Sequence, residues 1–147
     1  MARPRVAVLK TTPATVVDDY KRLMRLAGYQ QFLPKEAETA LKINISWHHF
    51  YPACSTTPWQ LDGVIATLLE DGYCKEKRYG CQNRTVVVSA RRGELANKHK
   101  QVVVDKYGLR NVNLYENDEE WICYTPKAKM LVLDKVFPEG IRIPGGW

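Results

Sequence analysis

The sequence predicts an α/β fold: a mostly parallel sheet, helices on its faces, and an added C-terminal β-hairpin. Three observations carry this. Short aliphatic runs alternate along the chain with segments of helical period, the order expected of βαβ units. Residues 40–72 read as strand, loop and helix in immediate succession. The chain has 147 residues, 45% hydrophobic and 26% charged, which suits a single globular domain with one core.

The first expected strand is residues 5–10, Arg-Val-Ala-Val-Leu-Lys. A helix follows, with Thr12 as its cap and Pro13 in its first turn, where a missing N–H costs nothing. Asp18 and Asp19 suit its positive end. Val16, Tyr20, Leu23 and Ala27 recur at helical spacing and define its apolar face. Gly28 is the expected stop.

Residues 40–46 form the central strand. Leu41, Ile43 and Ile45 alternate with Lys42, Asn44 and Ser46, so one face is buried. A loop of Trp47, His48, His49, Phe50, Tyr51, Pro52, Ala53, Cys54, Ser55 and Thr56 leads to a helix that ends at Gly72. Thr57, Pro58 and Gln60 predict a capping box with proline at the first helical position. Gly63, within that helix, weakens it by about 1 kcal/mol against alanine, which points to close packing.

Residues 73–84 read as a basic connection and residues 85–89, Thr-Val-Val-Val-Ser, as a buried strand. A third helix is expected over 94–107, ended by Gly108, although its three consecutive valines lose rotamer freedom there. Residues 111–115 alternate as a strand. Residues 121–124 and 130–136 read as strands joined near Pro126 and Lys127, with an acidic turn at 118–120.

Net charge is +6, with 22 basic residues interleaved among 16 acidic ones. That spread argues against nucleic-acid binding as the main role. No apolar run approaches the roughly 20 residues of a membrane span, and no signal-peptide pattern opens the chain. A cytoplasmic location is expected. Cys54, Cys74, Cys81 and Cys123 contain no Cys-x-x-Cys pair and no iron–sulfur motif, so no metal ligands are assigned.

The candidate site is the strand–loop–helix from Lys42 to Thr57. Strand ends of this type are where α/β folds bind ligands. The helix start offers N–H groups and a positive dipole end, and Lys42 a cation. Asn44, Ser46, His48, Thr56 and Thr57 complete the set, which suits an anionic small molecule. The plainer reading makes Thr57 a simple cap and Lys42 a solvated side chain. No glycine-rich phosphate fingerprint is present. His48 and His49 are adjacent, and on an extended segment they point apart, which argues against a shared metal unless the loop bends. Cys54 lies just before the helix, where a thiol pKa can fall. His99 reads as solvated.

Several of these segments resemble the family catalogued as domain of unknown function 362. They are residues 5–10, residues 41–46, and Thr56, Thr57 and Pro58 leading to Leu61, Val64 and Leu68. Residues 107–109, 112–115 and 136–144 are also similar. Where that family has Lys-Pro-Asn, this chain has Lys42, Ile43 and Asn44. The resemblance implies an α/β domain of unsettled biochemistry, the N-terminal portion of a longer architecture. It also implies a second role, as a redox or iron–sulfur accessory domain acting with a C-terminal half or a ferredoxin-like module.

Overall fold

A computed structural model describes residues 6–51, 53–116, 121–127 and 131–144. The elements are α1 (Val16–Ala27), β1 (Thr39–Lys42), α2 (Pro58–Glu70), β2 (Arg78–Gln82) and α3 (Ala90–Ala96). After them come β3 (Arg110–Asn113), β4 (Trp121–Tyr124), α4 (Leu133–Val136) and β5 (Ile141–Pro144). Strands β1, β2 and β3 form a parallel sheet in that order; β4 and β5 pair antiparallel in a second sheet. The chain is thus α/β, with a C-terminal hairpin.

Parallel strands in sequential order, joined by right-handed crossovers, place both connections on one face. The contacts agree. Ile43 and Ile45, extending from β1, pack with Leu61 and Ile65 of α2 and with Ala90, Val103 and Leu109 of the next crossover. Gly80 lies at the middle of β2. A Cβ there would stand 3.0 Å from Ile43 Cδ1 and 3.1 Å from Val103 Cγ1, so glycine lets those side chains meet over the strand. α1 packs on α2 at Gly63, where a Cβ would fall 2.5 Å from Tyr20 Cβ and 3.0 Å from the Val17 carbonyl. Close packing accounts for that glycine, as expected. Gly28, at φ 68°, ends α1 and donates to the carbonyls of Met24 and Arg25.

Other expectations need correction. Residues 6–10 form no strand, and Val6 and Val8 are exposed; Arg5 lies outside the described residues. α1 begins later than predicted, after Thr15, because Thr12 and Pro13 belong to a preceding turn.

The middle strand is not 85–89 but β2, inside the segment read as a connection. Arg78 is 1% exposed, yet its guanidinium donates to the carbonyls of Lys35 (2.6 Å), Ala37 (2.6 Å) and Lys77 (2.8 Å). It also lies 5.0 Å from the Tyr73 ring centre. These bonds offset the cost of burying the charge. Val86 and Val87, in contrast, project from an exposed loop.

The third helix is split. α3 starts at Ala90, capped by Ser89, and stops before Asn97. The Asn97 amide donates to the Gly93 carbonyl (2.9 Å) and the Trp47 carbonyl (3.3 Å). Lys98 then takes a positive φ of 60°. The valine run adopts a wider π-helical turn, Gln101–Lys106, which Gly108 ends at φ 65°.

The strand predicted over 111–115 keeps only its first half; Leu114–Glu116 is a 3₁₀ turn. β4 forms as expected, but its partner is β5. Residues 133–136 are helical instead, and Met130 and the acidic turn at 118–120 lie outside the described residues.

Candidate functional site

All three parallel strands end on one edge of the sheet: β1 at Lys42, β2 at Gln82 and β3 at Asn113. α2 and α3 both start there. This is the edge where parallel α/β sheets take ligands.

The structure brings most of the predicted residues together. The strand expected over 40–46 ends at Lys42, but its alternation runs on: Ile43 and Ile45 are buried, and Lys42, Asn44 and Ser46 are exposed. Thr56 lies beside Asn44. Its hydroxyl accepts from the Asn44 N–H (2.9 Å), and its own N–H donates to the Asn44 carbonyl (3.0 Å). The Asn44 amide donates to the Ser46 hydroxyl (2.7 Å), and the Ser46 N–H donates to Ser55 Oγ (3.2 Å). These bonds close the loop into an Ω-like excursion whose two ends are stitched together. The hydroxyls of Ser55 and Thr56 therefore serve the loop first.

The helix start is a poorer donor than expected. Pro58 has no N–H, and the N–H groups of Gln60 (3.1 Å) and Leu61 (3.2 Å) turn back to the Thr57 carbonyl. Thr57 sits at the N-cap with an extended backbone, but its side chain makes no capping bond, so the predicted capping box does not form. What remains is the Trp59 N–H, which has no partner among the described residues, and the dipole. Lys42 Nζ donates to the Ile43 carbonyl (2.8 Å).

His48 and His49 do not point apart. The loop bends, and their ring centres lie 4.5 Å from each other, with Trp47 stacked 4.7 Å from His48. Burial of the His48 ring, with His49 and Arg92 beside it, lowers its pKa below the ordinary value. Its Nδ1 is buried without a partner among the described residues.

α3 secures this loop from above. A Cβ at Gly93 would lie 2.3 Å from Ile45 Cγ2 and 3.4 Å from the Trp47 carbonyl, so only glycine lets the helix approach. His99 is not solvated; it is 1% exposed. Its Nε2 lies 2.5 Å from the Thr56 carbonyl, which makes that nitrogen the donor and leaves Nδ1 an unpartnered acceptor. Burial lowers its pKa, partly opposed by the bond to Thr56.

Sequence reasoning missed the polar groups that β2, β3 and α3 bring to the same edge. Gln82 is fully buried and donates to Asn113 Oδ1 (2.7 Å); Asn113 donates to Glu116 (3.0 Å), which also receives Arg91 (2.7 Å). A cleft of about 690 Å³ opens here, lined by Arg84, Val86, Ser89, Arg91, Tyr115 and Glu116. Arg84 lies 5.3 Å from the Tyr115 ring centre. The signal was present as Gln82-Asn83-Arg84 and Asn111-Val112-Asn113, polar side chains clustered where strands end.

Cys81 is buried in the sheet, Cys54 half-buried, and Cys74 and Cys123 exposed; none is in a disulfide. Among the described residues, no group of three or more His, Cys, Asp and Glu side chains converges as metal ligands. Nor is any described helix long and apolar enough to cross a membrane. Comparison of the chain with family models, with curated proteins and with solved structures finds no match.

Proposed function

We propose that this chain is an α/β ligand-binding domain, similar to the family catalogued as domain of unknown function 362, that takes a small anionic ligand at the carboxyl edge of its sheet. One observation carries the reading. Lys42, Arg84 and Arg92 reach this edge from the end of β1, the β2–α3 loop and the first turn of α3. None has an ion-pair partner within 4.0 Å among the described residues. Away from this edge Lys21, Arg22, Arg25, Lys77, Lys106, Arg110 and Arg142 are paired, while Lys35, Lys98 and Lys100 have no ion-pair partner among the described residues; at the edge itself Arg91 is paired with Glu116. Glu116 lies in the cleft with Arg84 but is bound by Arg91 and Asn113, so the three cations keep charge to offer an incoming phosphate or carboxylate.

The test is a thermal-shift and calorimetry screen of phosphorylated and carboxylate compounds, with inorganic phosphate as the simplest probe. A compound that binds the wild type should lose at least about tenfold in affinity in Lys42→Ala and in Arg92→Ala. Thr57→Ala, which removes no hydrogen bond to the helix, should change binding less. If no anion binds, or if both cation variants bind as well as wild type, the reading is wrong.

A further inference from the structure

We infer that a second cleft, between α3 and β3, takes a small zwitterion of the α-amino acid class, its ammonium group on Glu94 and its carboxylate on Lys100. This cleft adjoins the anion edge, with Arg91 in the walls of both, but its proposed binding groups are different ones. The cleft has a volume of about 500 Å³, with Glu94, Leu95, Lys100, Val104, Leu109 and Asn111 in its wall.

Glu94 is the informative residue. It is 6% exposed, a carboxyl held almost wholly inside the protein. Asn111 donates to one of its oxygens, Oε1 (3.1 Å). The other, Oε2, has no hydrogen-bond partner among the described residues, and it is not among the fully enclosed unpartnered atoms. Glu94 lines the cleft, and in the proposed complex that oxygen is the one that meets the ammonium group. A buried carboxyl with one oxygen tied and one offered wants a donor. Burial raises the Glu94 pKa, opposed by Asn111, Lys100 and Arg91, and a bound ammonium would favour the carboxylate.

The charges of the wall match a zwitterion once internal pairs are removed. Arg91 is bound to Glu116 (2.7 Å) and Arg110 to Glu38 (2.6 Å). That leaves Glu94 and Lys100, one charge of each sign. Leu95, Val104 and Leu109 add apolar surface to the same wall, suited to an aliphatic side chain.

Calorimetry with three probes tests this: L-leucine, 3-methylbutylamine, which lacks the carboxylate, and 4-methylpentanoate, which lacks the amine. Leucine should bind, and each truncated probe should bind at least about tenfold more weakly. Glu94→Gln and Lys100→Met should each weaken leucine by at least about tenfold, whereas Lys42→Ala and Arg92→Ala should leave it unchanged. Lys100 is exposed, so its variant keeps the test open if Glu94→Gln does not fold. The proposal is overturned if leucine does not bind at about 10 mM, if either truncated probe binds as tightly, or if Lys100→Met leaves leucine affinity unchanged. The anion edge stands or falls separately, on Lys42 and Arg92.

Discussion

Gly93→Ala probes the contact that fixes α3 over the site loop. In a solvated helix the change gains about 1 kcal/mol from propensity. Here the new methyl would stand 2.3 Å from Ile45 Cγ2, well inside contact distance, with the Trp47 carbonyl 3.4 Å away. Cγ2 sits on a branched carbon and cannot swing clear, so the helix must lift or Ile45 must leave its rotamer. Overpacking of this kind costs about 1–3 kcal/mol, and the shortness of the contact places it toward the upper end. The net loss should be about 1–2 kcal/mol, a fall in melting temperature of about 3–6 °C for a chain of this size. Ile45→Ala alone should cost about 2–4 kcal/mol by opening a cavity. In the double variant the clash is gone and the helix gain stays, so its loss should fall short of the sum of the two single losses by about 2 kcal/mol. Urea denaturation of the four proteins measures this directly. If the losses add to within about 0.5 kcal/mol, or if Gly93→Ala stabilises the protein, close approach is not why glycine stands there.

His99 should make the fold acid-sensitive near neutrality. Its folded pKa lies below the unfolded value of about 6.5, so the unfolded chain binds the proton first. Stability is therefore complete above that pH and declines as pH falls toward the folded value. His99→Gln keeps a donor for the Thr56 carbonyl and removes the titration. Its melting temperature should change less between about pH 7 and 5, and an unchanged slope would count against the argument. At lower pH, Asp71 contributes in the usual carboxylate sense. The Arg25 guanidinium and the Tyr29 hydroxyl hold its pKa down against burial. Its share of stability is present above the unfolded pKa of about 3.9 and is lost as pH falls through the folded one. Asp71→Asn should lower the melting temperature at pH 7 and flatten the acid limb between about pH 4 and 2; a parallel shift of the whole curve would refute this.

The elements that were legible in the sequence are those whose apolar pattern decides their place. β1 and its extension alternate cleanly through Ile43 and Ile45, and α2 carries a continuous stripe behind Pro58. Gly28 and Gly108 marked their stops because a left-handed turn leaves few alternatives. β2 was missed because Arg-Tyr-Gly-Cys-Gln carries no aliphatic pattern at all. Its burial depends on bonds from Arg78 to carbonyls some forty residues away, which no local window contains. The three valines at 86–88 misled for the opposite reason: propensity suggested a strand, but only Val88 found the core. The candidate site was half visible. Asn44 and Thr56 come together as expected, with Lys42 on the same edge, whereas Gln82, Asn113 and Glu116 become neighbours only once β2 is placed between the other strands.

The Arg78 clamp also divides the labour within the sheet. Its three carbonyls belong to the chain entering β1 and the chain entering β2, so the clamp stakes the amino ends of the strands. Lys42, Arg84 and Arg92 lie at the opposite ends. Loops on the carboxyl side can then be lengthened, shortened or exchanged without loosening the stake that holds the strands in register. A scaffold built this way can change what it binds while keeping how it folds, and grafting a new loop between Gln82 and Ser89 would be the natural place to begin.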